Sequence, residues 1–456
     1  SYVHADQHAF VFHPTNSNSA LSGSDGGVFL CTSLSTANTN SNAFLEVNNN
    51  YITTQFYKAA IGQEVSNEKL LAGAQDNGTQ LINNASAGSN NSNRIQGGDG
   101  AYVFIDKDNE YMISSYVYNS YYYHNYTTGN EIYTIANDQS YGDFINPAAL
   151  DSNMNVLFSN GSDGTTHRVY KYSLRSNFAL GGALANDLLT APVTAFKVSP
   201  FNSSATDLLV GTENGKLLKI TNANTDFSVS WEDITGDQFF GSISSINFGA
   251  NVNEIIVTFY NYGVVSIYYS EDGGTTWQNK EGNLPDLPVN TVLMNPLNTN
   301  EVILGTDLGV WGTPNFKSAN PTWSRSQNGM KDVKVTGFDL RASDNTVLAS
   351  TYGRGMFTGQ FTADGSSLTT EEFVKNNLVN LYPTVSTGEI TIAKISSEFT
   401  EGNFEIFDMN GRNVFSKKIK FNSNNTQQLN LNLSSGIYIT KFTSNNLKST
   451  QKIIIK

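Results

Sequence analysis

Apolar and polar residues alternate along most of the chain in short runs, each closed by a cluster of Asn, Pro, Asp or Gly. The segments "SINFGANVNEIIVTFYNYG", "TVLMNPLNTNEVILGTDLG" and "GFDLRASDNTVLASTYGRG" superpose almost without gaps. Each predicts a strand, a polar turn, a second strand and a glycine turn. Period-two alternation suits a pleated strand with one buried face, and the turn residues end it. Two rulers mark the repeat. Trp231, Trp277 and Trp323 stand 46 residues apart, and Gly215, Gly263, Gly309 and Gly355 recur at nearly that interval. Weaker copies begin near Thr194, Asn146, Ala101, Phe56 and His8. A period of roughly 40–50 residues with four short strands is the pattern of a β-propeller blade.

Counted by inner-strand starts, the chain holds eight blades, or seven if the first unit belongs to something upstream. The last copy stops after about three strands, at residues 356–361. A closed ring then requires an outer strand from the N-terminal end, because closure leaves no unpaired edge. Residues 1–7 are barely long enough, and "SYVHADQ" reads as an internal or processed start.

Within one repeat, "YYSEDGGTTW" places Ser270, Asp272, Gly274 and Trp277 at fixed offsets. Asp and Ser accept hydrogen bonds from nearby backbone N–H groups, glycine supplies positive φ, and the Trp lays an apolar plate beneath the turn. The stretch predicts a pinned hairpin turn, with no chemistry of its own.

After Phe361 the beat changes. "TADGSSLTTEEFVKNN" reads as a polar linker over 362–376 with a weak capping box at Thr369 and Glu372. Residues 377–456 then carry alternating strands with hairpin turns at "DMNGR" and "LSSGIY", enough for one small Ig-like β-sandwich. The expected fold class is all-β, a propeller over 1–361 followed by that sandwich.

Composition supports this. The chain is rich in Asn, Ser, Thr and Gly, with 22 Tyr and 27 Phe but only 15% charged residues. A net charge of −13 argues against nucleic acid as a partner, since phosphates demand a basic face. One cysteine, Cys31, rules out an internal disulfide framework and predicts a buried thiol. No apolar run has the length of a transmembrane helix.

The tail resembles the C-terminal (type A) sorting domain of type IX secretion cargo in the Bacteroidetes. Tyr382, Pro383, Gly388 and Ile390 match its opening, "IFDMNGR" with Gly411 its first turn, and "LSSGIY" with Gly436 and Tyr438 its second. "KIIIK", from Lys452 to Lys456, matches its basic, β-branched end. The family usually carries Pro-Asn-Pro after the tyrosine, where this chain has Pro383, Thr384 and Val385. The resemblance implies export across the outer membrane to the cell surface or beyond. It also implies two partners, the large translocon barrel and its smaller outer-membrane shuttle barrel. The last strand, offered as an unpaired edge with its two lysines, is the expected handle.

"HADQHAFVFHPTNSNSALSGSDGGVF", "AGAQDNGTQ", "GGDGAYVFID" and "STYGRGMF" are similar to sortilin-type and oligoxyloglucan-hydrolase-type Asp-box propellers, a likeness that specifies fold more than activity. Sialidases of this architecture gather arginines, whereas Arg94, Arg168, Arg175, Arg325, Arg341 and Arg354 are scattered among blades. Glycoside hydrolases use an aspartate pair across a cleft. Asp25 aligns with the turn where the oligoxyloglucan type carries one, and Asp99 and Asp163 are candidate partners; the alternative is that all three only pin turns. His4, Asp6 and His8 would share one face of a strand and are compatible with a structural divalent cation. "DKDNE" at 106–110 reads as a hairpin turn, lacking the glycine and distal glutamate of a calcium loop. Tyr121, Tyr122 and Tyr123 form a dense aromatic strand that fits either a glycan platform or blade-to-blade packing. No cofactor is called for. The expected function is a secreted surface protein whose propeller acts as a binding or adhesion module, with a secreted glycoside hydrolase as the alternative.

Overall fold

The computed structural model of the chain describes residues 3–49, 51–326, 330, 332–363, 378–395, 399–408, 411–421, 425–444 and 447–456. Apart from Thr362 and Ala363, the expected linker with its capping box at Thr369 and Glu372 lies outside them, as do Met409 and Asn410 of the first tail turn. The chain divides into two compact units, Ser1–Leu368 and Thr369–Lys456. Both are all-β, and the described residues contain no α-helix.

In the first unit, antiparallel sheets follow one another along the chain over residues 7–46, 56–96, 103–138, 148–184, 193–233, 243–279, 289–325 and 335–360. We number them first to eighth. Seven are four-stranded meanders, and the eighth has three strands, Val335–Arg341, Thr346–Thr351 and Met356–Gln360. The repeat seen in the sequence has a structural counterpart in register. In six of the eight sheets the inner strand carries a bulge at its start, for example between Val193 and Ala195, Ile243 and Ser245, and Val335 and Gly337. A bulge recurring at one place re-aims the strand the same way in every copy.

The side chain beside that bulge tells which sheet follows which. Thr194 of the fifth sheet donates its hydroxyl to the carbonyl of Ile243 in the sixth at 2.6 Å, and Ser244 of the sixth to Val289 in the seventh at 2.5 Å. Thr336 of the eighth sheet makes the same bond, at 2.9 Å, to Phe56 of the second. Around this seam the Lys58 ammonium donates to the carbonyl of Thr336 at 2.6 Å, Asp339 accepts from the Ile61 amide at 2.9 Å, and Gln55 bridges Tyr352. Among the described residues, 3–7 therefore do not complete the last sheet. The strand Gln7–Phe12 instead opens the first sheet, which meets the second through turns: His4 Nε2 lies 2.9 Å from the carbonyl of Asp76, and Asn77 donates to that of Asp25 at 3.0 Å.

Burial separates the first sheet from the others. The second strands of the second to eighth sheets, such as Leu208–Thr212 and Ile255–Phe259, are buried along their whole length, because apolar residues on both faces meet a neighbouring sheet. Gln7–Phe12 is exposed throughout, although its sequence is just as apolar.

The tryptophans repeat too. Trp277 Nε1 donates to the carbonyl of Ile234 at 3.0 Å, and Trp323 Nε1 to that of Lys280 at 3.0 Å. Each acceptor lies three residues after the tryptophan of the preceding sheet, so the two bonds are one contact made twice. Trp323 is buried against Phe316, and Trp277 packs edge-on to Phe239.

The second unit is a sandwich of a three-stranded sheet and a five-stranded one. Val379–Tyr382, Glu389–Lys394 and Thr426–Asn430 form the first. Across the second, the strand order is Val385–Ser386, Leu447–Ile455, Gly436–Ser444, Glu401–Phe407 and Asn413–Lys420. Leu381, Ile392, Phe404, Phe442 and Ile453 fill the core between them. The last strand is closed at its terminal end: it pairs antiparallel with Gly436–Ser444 along its length, and Val385 and Ser386 run parallel to Ile454 and Ile455, its final residues.

Candidate functional site

In an antiparallel meander successive turns alternate between the two ends of the sheet. The turns joining second to third strands, and the links from one sheet to the next, share one end, called here the loop end. The turns joining third to fourth strands lie at the other.

"YYSEDGGTTW" belongs to the opposite end. Ser270 closes a third strand, and its hydroxyl donates to Asp272 Oδ1 at 2.8 Å and accepts from the Gly274 amide at 2.8 Å. Asp272 accepts from the Thr276 amide at 2.9 Å and the Thr276 hydroxyl at 2.7 Å. Gly273 and Gly274 have φ of 74° and 95°, which a side chain would strain. Trp277 Nε1 also donates to the carbonyl of Gly274 at 3.1 Å. The hydroxyl and amide of Thr276, then the Ser270 hydroxyl, hold the Asp272 carboxyl down at about 2. All the bonding of this carboxylate stays within its own turn.

Asp163 behaves alike. It accepts from the amides of Thr165 and Thr166 at 3.1 and 2.8 Å, and Arg168 donates to it at 3.3 Å. The Thr166 amide is the main cause of a pKa below the usual carboxylate range. Asp106 of "DKDNE" accepts from the amides of Asp108 and Glu110, the hairpin turn expected there.

At the loop end, turns of three sheets converge. Asp25 lies between the second and third strands of the first sheet, Asp76 at the same place in the second, and Asp99 in the link to the third. Asp25 accepts from His8 Nε2 at 2.7 Å, and Asp99 accepts from the Asp76 amide at 2.9 Å. Burial, and then the charges of Asp99, Asp25 and Asp6, push the Asp76 carboxyl up. Beside them Tyr57 donates to the Gln75 amide oxygen at 3.0 Å, and Tyr352 of the eighth sheet shares that acceptor. Burial and the neighbouring Tyr352 raise the Tyr57 hydroxyl far above its ordinary value. Asp25 and Asp99 are thus brought to one locality, whereas Asp163 is pinned to its own turn in the fourth sheet. Asp76, Tyr57, Gln75 and Tyr352 were not singled out from sequence, although "AGAQDNG" and "STYGRG" drew attention to their turns.

His4, Asp6 and His8 do not share a strand face. Only His8 lies within Gln7–Phe12, and Asp6 has a left-handed φ of 53°, which breaks the period-two alternation. Both ring nitrogens of His4 face carbonyl oxygens, of Ala5 at 3.0 Å and Asp76 at 2.9 Å. Among the described residues no group of three or more His, Cys, Asp or Glu converges on a cation position.

Tyr121 and Tyr123 do not make a solvent-facing row. Tyr121 is fully buried, and its ring lies 6.1 Å from that of Tyr172 in the next sheet. Tyr123 stacks between Tyr111 and Tyr133 at 4.7 and 4.8 Å. Tyr122 points to the other face and is half-buried. Alternation sends both neighbours of Tyr122 to the packed side. Aromatics open to solvent occur at both ends: in loop-end turns and links Phe240 is 69% and Tyr262 64% exposed, with Tyr260, Phe144 and Tyr51 also on the surface, while Phe227, at 84%, with Phe178 and Phe201 lies in turns of the other end. Lys334 Nζ lies 4.7 Å from the Tyr260 ring centre and 3.3 Å from Asp307. The signal was there in "FYNYG" and "QFFGS", where aromatics fall inside glycine turns rather than strands.

Inner strands carry charged groups as well. Lys58 is half-buried, and desolvation with the nearby charge of Lys334 lowers its ammonium to about 8. Burial likewise lowers Lys197 and raises Asp339.

In the tail, Tyr438 is buried and donates to the carbonyl of Ser434 at 2.8 Å, and Gly388 has φ of 122° beneath the carbonyl of Leu431. Tyr382 is exposed, as is Pro383. Gly411 has φ of 78° in its turn and Gly436 opens a strand. Lys452 and Lys456 are exposed at the end of the last strand.

Residues 380–456 match the family model of the secretion system C-terminal sorting domain. This supports a type IX secreted cargo, exported to the cell surface or the extracellular space. A comparison with curated proteins finds no match. Among solved structures the chain is similar to PorZ, an essential bacterial surface component of the type-IX secretion system of human oral-microbiomic Porphyromonas gingivalis, with a TM-score of 0.51 and 11% identity. That alignment covers 99% of this chain and 66% of the PorZ chain, so this chain spans about two thirds of its length. A second similar structure is that of U3-55K, with a TM-score of 0.49 and 13% identity over 66% of this chain and 89% of the other. At such identities the PorZ likeness speaks to fold, and the fold is β-propeller-like. No helix among the described residues is long and apolar enough to cross a membrane, which says nothing of a β-barrel.

Proposed function

We propose that this protein is a type IX cargo whose tail is read by the translocon barrel and its shuttle barrel, and whose propeller binds a glycan or another surface component. The second to eighth sheets form a seven-bladed Asp-box ring, with the first sheet outside it. The sorting-domain match over 380–456 carries the export reading. The Thr336–Phe56 bond supports the seven-sheet ring, since it repeats the relation of the fifth sheet to the sixth. The Ser270–Asp272–Gly274–Trp277 turn supports the Asp-box assignment.

The ligand surface is the loop end, where exposed Phe240, Tyr260 and Tyr262 offer stacking planes and the turns offer carboxylates and amides, the usual means of holding a sugar. Binding is favoured over hydrolysis because Asp25, Asp99 and Asp163 each spend a carboxylate oxygen on a neighbouring histidine or turn amide. The test is to pass the full chain over a polysaccharide panel and score retention and cleavage together. Retention that Tyr262→Ala reduces, without new reducing ends, is the expected result. Release of sugar that Asp76→Asn abolishes would turn the assignment to a hydrolase.

A further inference from the structure

The last strand of the tail is paired on both sides at Ile454 and Ile455, so the terminal edge expected as a handle is closed. What the folded tail leaves open is a face. On Gly436–Ser444, Ile437 and Ile439 are 44% and 38% exposed, while Tyr438, Thr440 and Phe442 between and beyond them turn into the core. Register extends the row to either side. Ile437 pairs with Ile454, which pairs with Val385, and Ile439 lies between Lys452 and Phe407. Partners in register point to the same side of a pleated sheet. Val385, Ile454, Ile437, Ile439 and Phe407 therefore make one apolar strip across four strands.

Folding does not require that strip. On the same face Lys441 and Glu405 occupy the next row and pair at 3.6 Å, showing that polar residues serve there equally well. Exposed apolar strips of this kind mark contact surfaces. The charges around it are uneven. Lys418 and Lys420 are paired with Glu401, and Arg412 with Asp408, whereas Lys452 and Lys456, at the border of the strip, make no ion pair among the described residues. The tail as a whole carries 10 Lys and Arg against 7 Asp and Glu.

We propose that this strip is the surface by which the tail docks onto the secretion machinery, and that its occupant is a folded protein of that machinery presenting an apolar patch bordered by carboxylates. The proposal rests on the reading of residues 380–456 as an export signal. It places the contact on the outer face of the five-stranded sheet, with Lys452 and Lys456 steering and the isoleucines carrying affinity.

The experiment uses the full chain in a type IX-competent bacterium and reads the surface-exposed fraction by protease shaving. Ile437→Thr with Ile439→Thr keeps β-branched residues in the strand, and thermal melting of the purified variant checks that the tail remains folded. The double variant should lower the exported fraction about tenfold, the loss of a contact worth more than 1 kcal/mol. A photo-crosslinker at position 439 should capture an outer-membrane protein, and one at Gln428 on the three-stranded sheet should not. A folded double variant exported at the parental level would overturn the docking face. So would label recovered in lipid instead of protein. Should deletion of 369–456 leave export intact, the export reading itself falls, and the two failures are told apart.

Discussion

Residues 1–368 carry 33 acidic against 17 basic side chains, whereas residues 369–456 carry 7 against 10. Several acids of the larger unit serve its turns. Asp106, Asp151, Asp163, Asp272 and Asp344 each accept a backbone N–H within two to four residues. In a propeller built from many hairpins, such carboxylates are a consequence of architecture. The tail places Lys418, Lys420, Lys441 and Lys452 on the outer face of its five-stranded sheet. Part of the acidic charge thus reports on turn chemistry in one unit, while the basic charge of the other lies on strands. Apolar exposure divides likewise: in the second to eighth sheets it is mostly confined to turns, links and outer strands, while in the tail Val385, Ile437 and Ile439 expose it along strands of the five-stranded sheet.

Substitutions that separate the two units sharpen this contrast, and the largest effects should stay within one of them. Trp323→Ala removes a buried plate and its bond to Lys280, and should cost about 3–5 kcal/mol. Denaturant unfolding of the full chain should show the propeller transition moving and the tail transition staying; movement of both would break the division. Ile453→Ala should cost the tail about 2–5 kcal/mol, because Ile453 is buried in a core too small to absorb the loss. Shortening the chain by residues 452–456 removes Ile453 and Ile455 from that core, so it tests folding before it tests recognition.

Thr336→Val deletes the hydroxyl bond at the seam and should cost about 0.5–1.5 kcal/mol. An effect no larger than at an exposed threonine would count against closure of the eighth sheet on the second. Smaller still is the acid response. Asp272 has a folded pKa of about 2, lowered from 3.8, so it contributes stability above the higher value and loses it as pH falls through the lower. Asp272→Asn should slightly lower the melting temperature at neutral pH and flatten its fall between these two values, with no change in ligand retention. At the bottom of the scale, Lys452→Gln should alter stability by less than about 0.5 kcal/mol, as an exposed cation with no ion pair among the described residues.

Much of this was legible from the chain alone. The 46-residue tryptophan spacing became a repeated inter-sheet hydrogen bond, and the Ser270–Trp277 offsets became the pinned turn that the residue chemistry predicts. The sandwich strands fall where alternation put them. What was hidden depends on which element sits next to which. Gln7–Phe12 has the same alternation as a packed strand, yet is exposed because no sheet covers it. Tyr121 and Tyr123 look like a binding row until Tyr172 of the next sheet is placed against Tyr121, and Tyr111 and Tyr133 of neighbouring strands stack on Tyr123. Asp25, Asp76 and Asp99 meet through loops of different sheets, a relation no local pattern encodes. The closing of the last strand by Val385 and Ser386 is a two-residue parallel pairing, too short to leave a periodic signal.

The central claim is that residues 369–456 are sufficient to direct a folded body across the outer membrane. Fusing that segment to an unrelated folded reporter, in a type IX-competent bacterium, measures it most directly, with protease shaving of intact cells as the readout. The account predicts a reporter accessible at the surface or released to the medium only when the segment is attached. A tailed reporter that stays in the periplasm, with its tail folded, would contradict it.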